Sequence, residues 1–360
     1  MELAVLAPFS GGFKRDTLFE NYTSLVWTER YSTFGDFEMV SYDISETLSR
    51  LPLGGPLDPP CLVAIRDSDV PMIVESHKIE TPKNEAKRVV TTGRSYESVL
   101  DRRAAIRAIT SGVKRVEWQI NATSAATAAY AVAKAIIVDG VATPLDIIPE
   151  ILLLNGTSDV GVSVNYPVEP KELYAWMIET LALGEYGLKS TLPLADANQI
   201  AVQIYKGADR RVTLVFDVSL DQLDEATYFL TMFGYKNTMI TSTTNGMEVS
   251  STGPAFSGLS RRVDFQDVSS EVTLPAGADL TQLTINKGKV ALADRLPTAL
   301  FTGGVAAEIG DGYNSAYFLG DIVTLAGEYG LSQDARVAEF VRTQDATGKK
   351  SYPTFEAVTL

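Results

Sequence analysis

Two carboxylates near the C-terminus are the first candidates for chemistry. The stretch EIGDGYNSAYFLGD contains two Gly-Asp pairs, with Asp311 and Asp321 ten residues apart and Gly312 and Asn314 between them. Carboxylate and amide oxygens are the ligands that calcium prefers. The calcium-loop pattern D-x-[DN]-x-[DN]-G, with a Glu at its twelfth position, is absent. The sequence therefore favours a Gly-Asp turn that introduces the strand IVTL over a metal or catalytic site.

A second carboxylate pair lies in GDFEMV. Asp36 and Glu38 are two residues apart, so they share one face of a predicted strand. Glycosidases use two carboxylates a few ångströms apart. The chain has 45 acidic residues, however, and such pairs arise by chance at that frequency. We assign this pair no catalytic role.

The chain contains one histidine and one cysteine. His77 alternates with Glu75 and Ile79 in PMIVESHKIE, and a Ser or Cys triad would have to use it as its base. No G-x-S-x-G elbow accompanies it, so we interpret His77 as an exposed or interface residue of a strand. Cys61 follows LGGPLDPP and is predicted at a strand edge. With one residue of each type, zinc sites built on His and Cys are excluded.

Basic residues cluster between positions 94 and 115, where a nucleic-acid patch is the first alternative to consider. Glu97, Asp101 and Glu117 dilute this cluster, which favours ion pairs within the chain or between subunits. Neither a GxxxxGK[ST] loop nor a strand-bound GxGxxG is present. The basic residues of the cluster are Arg94, Arg102, Arg103, Arg107, Lys114 and Arg115.

The net charge of −14 is uneven along the chain. Residues 1–120 carry 15 Lys/Arg and 17 Asp/Glu, whereas residues 121–360 carry 16 and 28. Acidic surfaces repel phosphate, which argues against a protein that grips nucleic acid. No apolar run reaches the roughly 18 residues of a membrane span. The N-terminus lacks the basic start and cleavage site of a signal peptide, so three Asn-x-Thr sequons, at Asn21, Asn121 and Asn155, are interpreted as unused.

The elements that position these residues are mainly strands. Five short β-type runs lie within residues 23–95, separated by Gly, Pro and Asp, as in an antiparallel sandwich or barrel. A helix is predicted for SYESVLDRRAAIRAI, with Ser95 as its N-cap. Residues 111–210 mix helix and strand and include two predicted helices, SAATAAYAVAKAII and a segment that begins near Pro170.

Beyond residue 210 the β pattern returns. We predict a strand in RVTLVFDVS, a helix in SLDQLDEATYFL, a hairpin that turns at Asn245-Gly246, and a strand in GLSRRVDFQDVSSE. The segment DLTQLTINKGKVALADR is compatible with either helix or strand. Strands plus a helix thus occur on both sides of a central insert, which suggests two related β domains.

Several of these segments, in this order, resemble tail-associated proteins of tailed phages. The matching segments are LVWTERYSTFGDFEMV, PMIVESHKIE, TTGRSYESVLDRRAAI, YKNTMITSTTNG, GLSRRVDF, YFLGDIVTL and RVAEFVRTQDATGKKSYPTFE. The chain is similar to the baseplate hub family, whose members are called minor tail proteins in actinobacteriophages. The resemblance covers nearly the whole chain and is weakest at residues 111–210 and 266–300.

The resemblance implies a mainly β fold with an α+β insert. Two β-barrel tube domains of the hub type would span residues 1–110 and 211–360, with an α+β domain at 111–210 and a small insertion near 266–300. It implies a homotrimer whose six tube domains form a pseudo-sixfold ring at the distal tail tip of the virion. That ring would cap the distal tail protein ring and contact the C-terminus of the tape-measure protein. Other minor tail or fibre proteins would also bind it, and the host cell envelope is a further candidate partner.

In this family the ring channel passes DNA, and an acidic lumen would repel the phosphate backbone over about a Debye length of 8 Å. We expect several acids of residues 211–360 to face that channel. No catalytic, cofactor-binding or metal-binding residue is predicted, and the chain is predicted not to be an enzyme. The alternatives are a tail carbohydrate hydrolase with paired carboxylates and the hub of a contractile injection particle.

Overall fold

The structure is a computed structural model of the 360-residue chain. It describes the backbone of residues 1–9, 12–54, 61–83, 85–109, 118–157, 161, 163–192, 199–220, 223–244, 246–253, 256–269, 281–293, 295, 298–305, 312–327 and 332–358.

The described residues of the first part of the chain form seven strands and one short α-helix. Asp43 caps this helix by accepting a hydrogen bond from the Glu46 amide. In chain order the elements are β1 Leu3–Phe9, β2 Gly12–Phe19, β3 Ser24–Arg30, β4 Asp36–Ser41, α1 Ile44–Arg50, β5 Leu62–Ile65, β6 Met72–Glu80 and β7 Arg88–Ser95, followed by a 3-10 helix at Tyr96–Arg102.

Where it is described, the central part forms two α-helices and five strands. Ser124 caps the first helix by accepting from the Thr127 amide, and the alanines of that helix are almost all buried. The elements are β8 Gln119–Ala122, α2 Ala125–Ile137, β9 Ile151–Asn155, β10 Val164–Pro167, α3 Leu173–Ala182, β11 Gly187–Thr191 and β12 Ile200–Tyr205, with a 3-10 turn at Pro144–Asp146. Strands β11, β12 and β9 form one sheet, and β8 pairs with β10.

The last part returns to strands. Its elements are β13 Val215–Asp217, β14 Leu223–Thr231, β15 Thr238–Thr243, β16 Gly246–Ser251, β17 Val263–Asp267, α4 Thr281–Ala293, β18 Thr298–Val305, β19 Ile322–Ala326, β20 Ser332–Asp345 and β21 Gly348–Ala357, with 3-10 turns at Val218–Leu220 and Gly258–Ser260. Strands β14 and β18 pair antiparallel and flank a module made of β15, β16, β17 and α4.

One 11-stranded sheet joins the first and last parts of the chain. Its order is β13-β19-β20-β3-β4-β7-β6-β5-β1-β2, and β21 pairs with the other side of β20. The connection is the antiparallel ladder between β3 and β20, in which Arg30 faces Glu339 and Leu25 faces Gln344. Strands far apart in sequence are therefore neighbours in one hydrogen-bonded sheet.

The large sheet is curled. In a flat sheet, β20 and β1 would be roughly 29 Å apart, since six strand spacings of about 4.8 Å separate them. The Tyr22 hydroxyl nevertheless donates to the Met1 carbonyl, just before β1, and lies 3.4 Å from Oε1 of Gln344 in β20. Arg342 of β20 likewise reaches the carbonyl of Asp67, which follows β5, at 3.0 Å. Among the described strands no ladder closes this curl into a complete barrel.

The described side chains form three hydrophobic cores. The first fills the curl and contains Trp27, Phe37 and Met39. The second and largest combines α2, α3 and the central sheet with the 3-10 helix residues Val99 and Leu100. The third contains the side chains Tyr31, Phe216, Tyr317, Leu319, Val323, Leu325, Ala335, Val337 and Phe340. The number and length of the strands confirm the mainly β class. The predicted limits of the domains stay a prediction.

Two local predictions are wrong. Residues 219–230 were expected to be helical, but Leu223–Thr231 is a strand, because pairing with Thr298–Val305 overrides the helix-like acidic start of the segment. The helix expected over residues 95–109 is a 3-10 helix that ends at Arg102. Beyond it the chain is extended, since the Ala105 amide bonds to the carbonyl of Lys171 and the Leu173 amide bonds to that of Arg103.

The segment with ambiguous periodicity is helix α4. Its packing explains the ambiguity, because α4 contacts β15 and β16 and buries the polar and small residues Thr284, Asn286 and Gly288 together with Leu283 and Leu292. A Cβ atom at Gly288 would lie 2.6 Å from both Thr241 Oγ1 and Ser250 Oγ, and Ser250 donates to the Ile285 carbonyl at 2.8 Å. No helix in the described ranges is long and apolar enough to cross a membrane.

Candidate functional site

The three parts of the chain meet around a polar cavity of about 580 Å³. Its walls come from the end of β3, the loop after β5, strands β11 and β12, and the segment before β19. We call the contacts that hold these parts together the joint, and define it by Glu29, Tyr31, Glu97, Glu185, Asp321, Arg336 and Arg342. Carboxylates near this cavity are the groups to test for chemistry.

A buried ion pair links β3 to β20. Glu29 and Arg342 are both nearly inaccessible, and Arg342 Nη1 donates to Glu29 Oε1. The Tyr313 hydroxyl donates to the other oxygen, Oε2, at 2.8 Å. Burial, together with the charge of Glu29, raises the pKa of Tyr313 well above its ordinary value. The Arg342 guanidinium also lies over the rings of Phe340 and Tyr313, at 4.6 and 5.2 Å from their centroids.

Tyr31, immediately after β3, contacts both other parts of the chain. A Cβ atom added at Gly187 or at Gly320 would lie 2.4 or 2.2 Å from its ring, so both backbones lie against Tyr31. Its hydroxyl donates to the Glu185 carbonyl at 2.7 Å and accepts from the Gly207 amide at 3.3 Å. Burial raises the pKa of Tyr31 to about 12. One aromatic ring thereby fixes the spacing between the central and the last part.

Arg336 of β20 strengthens the same contact. It is buried, donates to Glu185 Oε2 at 2.8 Å and to the Gly320 carbonyl at 3.1 Å, and lies over the Tyr31 ring. Glu185 has a φ of 57°, a left-handed conformation that costs a non-glycine residue of order 1 kcal/mol or more. The bonds from Tyr31 and Arg336 to its carbonyl and side chain hold it in that conformation.

Glu97 joins the first part to the central sheet. Its Oε1 accepts from the Ser95 hydroxyl, and its Oε2 accepts from the amide of Ser190 at 3.1 Å and from the Ser190 hydroxyl. Burial raises the pKa of Glu97. Both oxygens are bonded to protein groups, so this carboxyl connects the first part of the chain to the central sheet.

Asp321, one of the two aspartates singled out in the sequence, is 2% exposed and directly precedes β19. It accepts hydrogen bonds from the amides of Ala208 and Phe318, at 2.7 and 3.0 Å, and from Arg210 Nε. The Gly-Asp turn interpretation holds, and the carboxylate also fastens the exit of the central part to the last sheet. Asp311 lies outside the described residues, so its place in a Gly-Asp turn stays a prediction.

The other candidates from the sequence lie apart from one another. Asp36 pairs with Arg30 at 3.0 Å, and Glu38 is exposed on the same strand face. His77 bonds to the Thr91 hydroxyl and, through Nε2, to the Leu51 carbonyl at 2.7 Å, which ties the end of α1 to the sheet. Cys61 is buried, and burial raises its thiol pKa to about 11.

The basic cluster consists largely of ion-paired residues where it is described. Arg94 and Arg102 both contact Glu75, at 2.6 and 3.5 Å, and Arg103 lies 3.7 Å from Asp146. Lys114 and Arg115 lie outside the described residues. Within the described ranges no group of three or more His, Cys, Asp or Glu side chains is arranged to hold a metal ion.

The joint was not found from the sequence. Its partners are far apart along the chain, as for Glu29 and Arg342, and no local spacing connects them. A signal was nevertheless present, because Glu29 and Arg342 interrupt apolar strand segments, LVWTER and EFVRTQD, at positions that the strands bury. A buried charge in a strand requires a partner of opposite sign.

The comparison with known families decides the relationship of this chain. The model of the family described as Siphovirus ReqiPepy6 Gp37-like protein matches residues 8–355. The chain belongs to this family. The resemblance to tail-associated phage proteins that the sequence indicated is thereby confirmed. No curated protein matches the chain in sequence.

Solved structures share the fold of this Gp37-like protein over its whole length. The 43 kDa tail protein of prophage MuSo2 from Shewanella oneidensis has a TM-score of 0.55 at 13% identity, covering 99% of this chain and 98% of that one. The tail protein from Neisseria meningitidis MC58 has a TM-score of 0.53 at 14% identity, with coverages of 99% and 97%. Prophage tail protein gp18 from Listeria monocytogenes EGD-e has a TM-score of 0.54 at 11% identity, with coverages of 100% and 95%. The Gp37-like chain therefore has the fold of phage tail proteins.

Proposed function

We propose that this Gp37-like protein is a structural component of the virion at the distal tip of the phage tail. Three copies form a ring with pseudo-sixfold symmetry, which caps the distal tail protein ring and leaves a central channel. The channel holds the C-terminus of the tape-measure protein and later passes DNA. Other minor tail or fibre proteins attach to the outside of the ring. The ring contacts the host cell envelope at infection.

The observation that carries this proposal is the extent of the family and fold match. The family model covers residues 8–355, and the tail proteins of similar fold are covered almost end to end. The proposed two tube domains, 1–110 and 211–360, and the 111–210 insert follow the same resemblance.

The joint supports a role that depends on fixed geometry. A ring of identical copies closes only if each copy presents its surfaces at a constant angle. The β3–β20 ladder, the Glu29–Arg342 pair and the clamped Tyr31 ring hold the first and last β regions in one orientation. We infer that the joint sets the angle between the two β regions, which is the angle that a pseudo-sixfold ring needs.

The proposed role is not enzymatic. The carboxylates Glu29, Glu97 and Asp321 each accept hydrogen bonds at both oxygens from protein groups. Asp36 is paired with Arg30. A hydrolase with paired carboxylates would instead need one carboxyl free to donate a proton and another facing water or the sugar.

The decisive test is the mass and the image of the purified chain. We expect a homotrimer by native mass measurement and a threefold ring with a central channel by electron microscopy. A chain that stays monomeric at the highest attainable concentration contradicts the proposal. A glycan-release assay addresses the enzymatic alternative, which would gain support from activity that Asp36→Asn abolishes.

A further inference from the structure

The polar cavity at the joint contains two charged side chains that lack a partner among the described residues. Several other charged groups of its walls are matched within the chain, as the buried Glu29 is by Arg342. Asp69 and Lys189 line the same cavity, and within the described ranges neither side chain forms an ion pair or a hydrogen bond with another residue. Convergent polar groups in a cavity are the usual mark of a ligand site.

The fold holds these two charges at a fixed spacing. Lys189 lies in β11, and Asp69 lies in the loop after β5. The amide of Leu192, the residue after β11, donates to the Asp69 carbonyl at 2.6 Å and so ties the loop to the strand. The Lys189 Nζ atom lies over the Tyr205 ring, 4.7 Å from its centroid, which directs the ammonium group. A ligand therefore meets groups that are already in place, which lowers the entropy lost on binding.

The electrostatics of Asp69 place its carboxylate close to Lys189. The walls of the cavity displace water from Asp69 and raise its pKa, the charge of Glu29 adds to that shift, and the charge of Lys189 opposes it. Asp67, the other acid of the same loop, interacts with the N-terminal ammonium of Met1. Asp69 and Lys189 thus feel each other's charge without forming an ion pair. A molecule that carries both charges can bridge them.

The last part of the chain adds an amide and an apolar ring to the same cavity. Asn314 is exposed, and its backbone amide donates to the Tyr317 carbonyl at 3.0 Å, which fixes the position of the residue. Its side-chain amide can both donate and accept hydrogen bonds. Phe318 also lines the cavity and is 39% exposed. The cavity thereby offers an acid, a base, an amide and an apolar surface.

The mixture of charges selects the class of ligand. Asp69 repels a lone anion and Lys189 repels a lone cation, so neither a simple salt ion nor a singly charged molecule satisfies both groups. In the part of the chain that the structure describes, no group of three or more His, Cys, Asp or Glu side chains is placed to hold a metal ion. The volume of about 580 Å³ falls within the range of small-molecule sites, about 300–1,000 Å³. A small zwitterion with a side chain fits this site.

We propose that the cavity at the joint binds an amino acid or a short peptide by its two charged ends. The ammonium group bonds to Asp69, the carboxylate bonds to Lys189, and the side chain packs on Phe318. The three residues belong to the first, central and last parts of the chain, so a bound ligand fastens these parts together and stabilises the folded state. The inference concerns a single copy, so a monomeric chain would refute the proposed ring and leave this site unaffected.

The first test varies the ligand. Free amino acids and a set of glycyl dipeptides are added at millimolar concentration to the purified full chain, and binding is measured by calorimetry and thermal unfolding. We expect at least one of them to raise the Tm by about 2 °C or more. Acetylation of its amino group or amidation of its carboxyl group should each weaken binding at least about tenfold, since each removes a charge-assisted hydrogen bond. No binding by any member of the set, or equal binding of the capped forms, overturns the proposal.

The second test varies the protein and assigns each end of the ligand. Asp69→Asn and Lys189→Gln should each weaken binding of the best ligand at least about tenfold. In Asp69→Asn, acetylation of the ligand should cost no further affinity, and in Lys189→Gln the same should hold for amidation, a pairing that a general loss of structure would not produce.

Lys206→Gln is the matched control for the lysine variant. Lys206 Nζ also lies over a tyrosine ring, 5.2 Å from the centroid of Tyr186, but Lys206 does not belong to the described walls of the cavity. We expect its affinity for the ligand to equal that of the wild type. A ligand that binds Asp69→Asn and Lys189→Gln as tightly as the wild type occupies another place, which would overturn the proposal.

Discussion

The joint and the β15–β17 module use polar and apolar side chains in opposite ways. In the joint, the charged groups Glu29, Arg336 and Arg342 are buried and bonded to other parts of the same chain. In the module, Met247 and Phe265 are exposed and nothing in the described chain covers them. Buried charges that match one another fix the shape of a single copy, whereas the exposed apolar side chains of the module add little to it. The difference separates residues that stabilise the fold from residues that the described fold leaves exposed.

The largest effect is expected where a buried charge loses its partner. Arg342→Ala leaves Glu29 buried without a counter-ion and should lower the free energy of unfolding by about 3–5 kcal/mol. Urea denaturation of wild type and variant measures the loss. Arg66→Ala is the control, because its pair with Glu2 is exposed and should contribute about 0–1 kcal/mol. Equal losses in the two variants would contradict the distinction between joint and surface.

The joint also makes a prediction for a single hydroxyl. Tyr31→Phe keeps the ring between Gly187 and Gly320 but removes the bonds to the Glu185 carbonyl and the Gly207 amide. We expect a loss of about 1–2 kcal/mol in the free energy of unfolding. Tyr42→Phe, at an exposed tyrosine, should change it by less than about 0.5 kcal/mol. A neutral Tyr31→Phe would show that packing alone positions the ring.

The buried carboxyl of Glu97 predicts a pH dependence. Burial raises its pKa above the ordinary value of 4.5, so the folded chain binds this proton more tightly than the unfolded chain. The stabilisation is therefore complete below the unfolded pKa and is lost as pH rises through the folded pKa. Glu97→Gln removes the titration, and the stability of wild type relative to this variant should fall with rising pH. Parallel stability curves for the two proteins would refute the assignment.

Asp209 provides a control of opposite sign. A hydrogen bond from Arg211 lowers its pKa from 3.8 to about 2. Its contribution is therefore present above the unfolded pKa and is lost as pH falls toward 2. The stability of wild type relative to Asp209→Asn should accordingly fall on acidification. The stability of wild type relative to Glu97→Gln should rise over the same change.

The smallest effect on folding is expected at the exposed apolar side chains of the β15–β17 module. Phe265 is 55% exposed, and Phe265→Asp should change the free energy of unfolding by less than about 0.5 kcal/mol. Urea denaturation measures the change. A loss comparable to that of Arg342→Ala would mean that this side chain is part of the core, which would end the contrast between the two regions.

The sequence predicted the elements whose pattern is local. Alternation in segments such as TSLVWTERYS and AKRVVTTGRS identified β3 and β7, and Ser124 before an alanine-rich run identified α2. The predicted hairpin is the β15–β16 pair, in which Thr243 faces Gly246, while Asn245 lies outside the described residues. The family followed from the order of these segments, which is also information that a linear sequence contains.

The elements that the sequence missed depend on distant partners. Leu223–Thr231 is a strand because β18 pairs with it, and α4, for which the sequence left helix and strand open, is a helix that buries small and polar residues as well as leucines. Glu29 meets Arg342 only once β3 and β20 are paired. No window of the sequence contains both members of such a pair, so neither periodicity nor spacing reveals it.

The β3–β20 ladder also determines when the chain can finish folding. Glu29 and Arg342 are separated by 313 residues. At a translation rate of 5–20 residues per second, roughly 15–60 s pass between the synthesis of one and of the other. During that time β3 is an unpaired edge and Glu29 lacks its counter-ion. A nascent chain therefore cannot complete the joint, and copies become competent for assembly only after the last strands leave the ribosome.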